Sequence, residues 1–588
     1  MTGTIRSRAC VAARRGTRAW RWVRGAFRAF ALAAIALDAA GCSYLVFLKP
    51  EAVPRERGRS RTWRGPAFRA EGIGPGSRTA VDPRADWAAY NGSYAGARFS
   101  PLDQITSSNV TSLRPVCTFD VGKRTNMQTG PIVVDGVLYF TTVTDTYAVD
   151  ATTCALRWRH TYHYSPAPPF DPNKVNRGVA YLDTPDGPRL FRGANDGRVL
   201  ALDARTGREL WNVVAGSPRA GETFPAAPIA WGGLVFIGNA GGDNFGVLGR
   251  MMAFDARTGG RVWSFDLVPS AGEASLTWPN ETERVPRAGG ATWTSYALDT
   301  AAGTLYVPTG NAAPDFLGQV REGSNLYTTS VVALDARTGT LRAWHKLLER
   351  DVHDWDVAAA PALLTTARGR SIVAAAGKDG YVYAIDRASG ERRFRTPVAT
   401  MDNVDAPLTK AGTRFCPGVN GGVEWNGPAF SPATNLLYVN SIDWCTTVKL
   451  APARKLKDKR GLPWTGSAQL LHPFGVNDKA RRGWLTAVDA DDGTVRWRHA
   501  SPTPLVAGVV ATAGGVVLSG DLRGGVFALD ARTGAALWRF ETRRPVGGGV
   551  LTYSVGGRQY VAVAAGMHSP ESWRIKSRPA RVIVFALP

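Results

Sequence analysis

Residues 526–538 read VFALDARTGAALW and residues 199–211 read VLALDARTGRELW. Each phrase passes from an apolar pair to an Asp, through a short polar turn to a Gly, with three or four residues before an aromatic. The same phrase stands at 251–263 (MMAFDARTGGRVW), 331–344 (VVALDARTGTLRAW) and 485–497 (LTAVDADDGTVRW). Weaker copies are TYAVDATTCALRW at 146–158 and VYAIDRASGERRF at 382–394. Each copy is predicted to be a strand, a turn capped by Asp in which Gly takes positive φ, and a second strand whose Trp packs between neighbouring sheets.

A hairpin repeating at this period builds a radial array. The markers are Asp150, Asp203, Asp255, Asp335, Asp386, Asp489 and Asp530, and most intervals lie near fifty residues. The gap from Asp386 to Asp489 is about twice that, which predicts a degenerate copy inside it, at LLYVNSIDW, 436–444. Seven visible copies and one hidden one predict an all-β chain whose residues 85–588 form an eight-bladed β-propeller of four-stranded sheets. Strands at 560–564 and 582–587 are expected to pair with residues near Phe119 and so leave no free edge. The long interval between Asp255 and Asp335 predicts an insertion of the kind that carries function in repeat folds.

Composition agrees with many short strands around a large core: 588 residues, 44% hydrophobic, with 65 Gly and 19 Trp. The net charge of +23 comes mostly from Arg spread along the chain, densest before residue 70. There is no compact basic helix and no basic patch interleaved with aromatics, so nucleic acid is not an expected partner. The charge suits acidic proteins or an anionic membrane surface, or reflects an Arg-rich composition alone.

Residues 6–28 are basic and residues 27–48 are mostly apolar, interrupted at Asp38, so 1–48 is read as a signal peptide or membrane anchor. Ala39-Ala40-Gly41-Cys42 is similar to a bacterial lipoprotein cleavage box, with Ala39 where Leu is preferred. Lipidation at Cys42, an uncleaved helix through 27–48, and ordinary cleavage further on all remain open. Each places the rest of the chain outside the cytoplasm, in the periplasm, free or membrane-anchored. Residues 49–84, rich in Arg, Gly and Pro, read as a flexible tether. Beyond the leader stand Cys117, Cys154, Cys416 and Cys445, an even number without zinc-like spacing, which favours two disulfides in an exported chain. No Cys-x-x-Cys-His occurs, so no covalent haem is expected.

The repeat resembles the tryptophan-docking repeat of the pyrroloquinoline quinone (PQQ) dependent alcohol dehydrogenases, and DWAAYNGSYAGARFSPLDQITSSNVTSL at 86–113 is similar to that family's start. In WTSYALDTAAGTLYVPTGNAAPDF, 293–316, the resemblance makes Trp293 the floor on which the quinone stacks and Asn311 a calcium ligand. An aromatic face suits a planar cofactor, and an amide oxygen suits a hard cation. DVHDWD, 351–356, matches a His-Asp-x-Trp-Asp segment whose last Asp is the base, here Asp356, which is also a calcium ligand. One residue is missing before Trp355, which leaves Asp354 as a rival for the role. Ala358 stands where lanthanide-using relatives carry an extra Asp, so calcium is the expected metal. GNAGGDNFGVLG, 238–249, resembles a segment whose Glu completes the calcium site, with Asp243 and an added Asn244 in its place.

By the same resemblance Lys378 contacts the reactive quinone oxygens, Arg177 pairs with a PQQ carboxylate, and Gln128 and Glu424 line the cofactor. The family's adjacent Cys pair is absent from FDPNKVNRG, 170–178. The resemblance pairs Cys416 with Cys445 and implies the pair Cys117 with Cys154. It implies a dehydrogenase oxidising an alcohol or polyol with PQQ and calcium, handing electrons to a separate cytochrome c or membrane quinone. The alternative is a non-catalytic propeller scaffold of the outer-membrane assembly lipoprotein type.

Overall fold

The Asp of each repeat caps its turn as its chemistry predicts. Asp203 Oδ1 accepts the backbone N–H groups of Arg205 and Thr206 and the Thr206 hydroxyl. Gly207 closes the turn at φ 74°, in the left-handed region that a side chain disfavours. The computed structural model describes residues 85–164, 174–456, 459–471 and 482–588. The expected leader, Cys42 and the tether lie outside them.

Each such turn joins the third and fourth strands of a four-stranded antiparallel sheet. The second sheet is typical: Ala180–Thr184, Gly187–Ala194, Arg198–Asp203 and Glu209–Val214, hydrogen-bonded in chain order. Its second and third strands are largely buried, and its first and fourth are largely half-exposed. Among the described residues there are eight sheets of four or five strands and one of three. The first strands lie innermost, and several touch their successors, as Ala362–Thr365 touches Ala429–Ser431 and Val510–Thr512 touches Val550–Val555.

The sheets are joined by tryptophans. Trp158, Trp211, Trp263 and Trp497 each donate the indole N–H to the Ala carbonyl of the next Asp-Ala turn, at 3.0 to 3.2 Å. Each ring lies against the Gly of that turn: a Cβ on Gly339 would fall 2.6 Å from Trp263. Only hydrogen fits there, which explains why the Gly recurs beyond its need for positive φ.

The ring closes where the sequence reading expected. Arg114–Asp120 pairs antiparallel with Arg581–Ala586, bringing Phe119 opposite Val582. The degenerate copy is not where it was expected. Residues 436–444 are no separate repeat: Leu436–Asp443 is the second strand of the sheet whose marker is Asp489. The long gap holds insertions on either side of that sheet's first two strands, at 398–428 and 444–481. The unmarked sheet is the closing one. Its third and fourth strands come from opposite ends of the chain, so no turn connects them and there is no place for an Asp. At this seam Cys154 occupies the Gly position of its turn, at φ 60°, and is bonded to Cys117 on the closing strand. The other disulfide joins Cys416 to Cys445.

Trp263→Phe keeps a ring over Gly339 but loses the hydrogen bond to Ala336, a loss of about 1 kcal/mol. Gly339→Ala forces a methyl into that ring at φ 70° and is expected to cost roughly 1–3 kcal/mol. Urea midpoints measure both, and equal midpoints for wild type and Gly339→Ala would contradict the docking role.

Candidate active site

Antiparallel connections alternate between the two ends of a sheet. The docking turns, between strands three and four, therefore crowd one end of the ring. Links from strand two to three, and from one sheet to the next, emerge at the other. Every residue singled out for cofactor or metal lies on those links. Gln128, Arg177, Trp293, Asp356 and Glu424 precede the first strands of their sheets, while Asp243, Asn311 and Lys378 lie between second and third strands. All eight line one cavity of about 460 Å³.

Trp293 is half-buried on this wall. The Arg177 guanidinium lies 4.6 Å from its ring centroid and donates to the Trp293 carbonyl at 3.0 Å and to Gln128 Oε1 at 2.8 Å. Lys378 Nζ lies 5.8 Å from the same ring. It makes a 2.8 Å ion pair with Asp356 Oδ2 and a 3.3 Å contact with Asp354 Oδ1. Burial by itself would lower the Lys378 pKa, but Asp354, Asp356, Glu424 and Asp243 outweigh it and hold the ammonium well above the usual lysine value. The other oxygen of Asp356 accepts the backbone N–H of Asn311 at 3.0 Å. Asp356 is thus oriented from both sides.

A group of carboxylates lies beside this pair. Asp243, Asp315 and Asp354 each offer an oxygen within 4.8 Å of the others. Asp243 faces the cavity, and lost hydration together with the Asp356 charge pushes its carboxyl up to about 6. Burial, followed by neighbouring carboxylates, raises Asp315 and Asp354 well above the ordinary range. Asn311 donates its amide N–H to Asp315 Oδ1 at 3.1 Å. The buried Arg321 fixes the loops by donating to the carbonyls of Pro314, Asp315 and Asp351. Asp315 was missed in the sequence, although it follows Asn311 by four positions inside the segment already singled out.

Sequence reading also missed the roof. Between strands Leu436–Asp443 and Arg482–Asp489 the chain leaves its sheet. Its strands Thr446–Leu450 and Ser467–Leu471 join Thr413–Phe415 in the three-stranded sheet. Between them Trp464 N donates to the Asp243 carbonyl at 2.7 Å, and Phe316 N donates to the Thr465 carbonyl at 2.9 Å. Pro463, Thr465 and Leu470 of this strap line the cavity, as do Trp425 and Trp573. Nothing in its sequence pattern marked it as a wall of the site.

A ring of docked sheets with aromatic faces, buried cations and a carboxylate cluster gathered at one end defines a β-propeller with a charged cavity at the mouth of its ring. The family model described as the PQQ glucose/ethanol/alcohol dehydrogenase β-propeller domain matches residues 87–398 and 392–561. The chain belongs to this family and is a PQQ-dependent dehydrogenase acting on alcohol CH–OH groups.

The quinohemoprotein alcohol dehydrogenase ADH IIB of Pseudomonas putida is 30% identical over 557 residues, covering 85% of this chain and 77% of the relative. The solved quinohemoprotein alcohol dehydrogenase ADHIIG of Pseudomonas putida HK5 superposes with a TM-score of 0.77 at 28% identity, covering 86% of this chain and 80% of the other. A europium-containing methanol dehydrogenase gives 0.76 at 26% identity, covering 86% and 99%. The scaffold alternative gives way to an enzyme.

Glu424, buried beneath Lys378, is pushed by loss of hydration up to about 7 from 4.5. Folded protein therefore keeps this proton through a window in which unfolded chain releases it, and stability falls as pH rises from about 4.5 to about 7. Asp243 acts in the same direction. Melting temperatures of the metal-free protein across that window should fall less steeply in Glu424→Gln than in wild type; parallel slopes would refute the assignment.

Proposed function

We propose that this chain oxidises an alcohol or polyol in the periplasm with PQQ and a hard cation such as calcium. Electrons then pass to a separate cytochrome c or membrane quinone. The observation that carries the reading is the buried Lys378–Asp356 pair beside Trp293, with Arg177 and Gln128 in the same cavity. The donor set suits both groups. Aromatic faces and two buried cations match a planar polycarboxylate, and clustered carboxylate oxygens match calcium. When bound, PQQ would supply the acceptor for the hydride of the carbinol carbon.

The chain's own residues supply the rest. Asp356 takes the hydroxyl proton at a carboxylate oxygen, and the Asn311 N–H and Lys378 hold that carboxylate in place. The Lys378 ammonium offers a fixed positive charge where negative charge develops. Trp293 would provide the face and Arg177 would pair with a cofactor carboxylate, while Gln128 and Glu424 line the same cavity. The strap at 461–471 covers the cavity and limits water. We read each of the eight larger sheets as one blade, and residues 1–48 as the export leader or anchor.

Protein reconstituted with PQQ and calcium should reduce an artificial dye in the presence of a primary alcohol. Asp356→Asn should lower kcat by roughly 10²-fold to 10⁴-fold, the range for loss of a positioned base. A variant with wild-type kcat, or no activity of wild type across an alcohol panel, would refute the proposal.

A further inference from the structure

We infer that the three-stranded sheet roofing the cavity is a docking surface for an anionic lipid bilayer, which seats the chain with the cavity end of its ring toward the membrane. This goes beyond the proposed alcohol oxidation and does not depend on it.

The roof is two-sided because side chains alternate along a strand. Thr413–Phe415 pairs with Thr446–Leu450, and that strand pairs with Ser467–Leu471. Phe415, Val448 and Leu470 share the inner face, where they pack with Phe316, Trp355 and Val419, and Leu470 reaches the cavity. The register puts Arg414, Thr447, Lys449, Gln469 and Leu471 on the outer face. Its one large apolar side chain, Leu471, is 38% exposed.

Positive charge is concentrated beside that leucine. The connection from Leu450 to Ser467 carries Arg454, Lys455, Lys459 and Arg460, all exposed. Lys410 is exposed as well, and it lies along the same edge, because the Leu450 backbone N–H donates to the carbonyl of Thr409 at 3.0 Å. Among the described residues neither these five cations nor Lys449 makes an ion pair or a side-chain hydrogen bond. Of the carboxylates in the adjoining loop, Asp402 is taken by Arg414, which leaves Asp405 alone against six cations.

Cations that serve the fold are pinned, as Arg387 is by Asp299 and Arg393 by Asp386. Those of the roof are not. A protein partner would have to fix each long side chain in one rotamer, which costs affinity. A fluid array of lipid headgroups meets them in any rotamer. Each Lys or Arg close to an anionic leaflet strengthens binding by roughly fivefold, and an exposed Leu among them can enter the boundary between headgroups and acyl chains. The net charge of +23 draws the chain toward the same surface from a distance. Arginines at the opposite end supply a control: Arg205, Arg257, Arg337 and Arg532 stand in the docking turns, where Arg257 pairs with Asp186 and Arg337 lies 5.2 Å from the Trp231 ring centroid.

The test is flotation of the full chain with vesicles of equal parts phosphatidylglycerol and phosphatidylcholine, and with vesicles of phosphatidylcholine alone. Residues 1–48 are present in every variant and contribute equally. Replacing Arg454, Lys455, Lys459 and Arg460 together by Gln should weaken binding to the anionic vesicles by roughly a hundredfold or more, and Leu471→Ser should weaken it severalfold. Replacing Arg205, Arg257, Arg337 and Arg532 by Gln removes the same charge from the other end and should leave binding close to that of wild type. Where circular dichroism shows a variant misfolded, tryptic cleavage of wild type after Lys455 and Lys459 carries the test: anionic vesicles should slow it and neutral ones should not. Equal losses in the two fourfold variants, unchanged binding in the roof variant, or roof cleavage unaffected by anionic vesicles overturns the inference. So does roof-dependent capture of an acidic cytochrome c without binding of vesicles. Alcohol-dependent reduction of a soluble dye reads the proposed function separately: it should be equal in wild type and the roof variant, and its absence from both would sink the function and leave the flotation result standing.

Discussion

The structure depends on one contact repeated around a ring: an indole N–H from one sheet donating to the Ala carbonyl of the next sheet's turn, with the ring packed on a Gly that has no Cβ to obstruct it. Sheets lacking that contact at their border use substitutes that show what it does. Phe394 packs on Gly493, His345 lies over Gly390, and Trp538 meets Phe585 at 5.5 Å across the border of the closing sheet. At the seam between last and first sheets, where no docking Trp exists, a disulfide occupies the Gly position instead. The ring is held at every border by something other than strand hydrogen bonds.

Because this docking occupies one end of the sheets, the other end is free of structural duty. The links there differ in length and sequence while the turns repeat, as expected when a rigid scaffold presents functional loops. Charges gather on them that a packed core would reject. Asp243, Asp354, Asp356 and Glu424 surround Lys378, and enclosure together with neighbouring negative charge raises the affinity of Asp243, Asp354 and Glu424 for protons. Gathering like charges in this way costs stability that the docked sheets must offset. Crowded charges of this kind are held in place by surroundings that gain stability elsewhere.

Much of the site was legible because its residues sit in short segments of distinct composition. Trp293 and Asn311 lie in one stretch, and Asp354 and Asp356 in another, and all reach the same cavity. What could not be read was which carboxylates meet. Asp315 and Asp243 are 72 positions apart, and their approach depends on strap residues from beyond position 460. An insertion that crosses from one sheet to loops of two others leaves no period in its own sequence. For the same reason the long gap between Asp386 and Asp489 looked like a hidden repeat, since spacing counts residues and not strands.

The sequence by itself determined the sheets, their turns and the order of docking, because strand, cap and Gly are local choices repeated within a dozen residues. It also determined the cavity wall, because loops between fixed strands must emerge at a known end. Tertiary structure alone decided that the unmarked sheet is the closing one rather than a copy inside the long gap, and it alone decided the partners of each carboxylate. Those depend on distances between loops that are remote in the chain, and no local propensity encodes them.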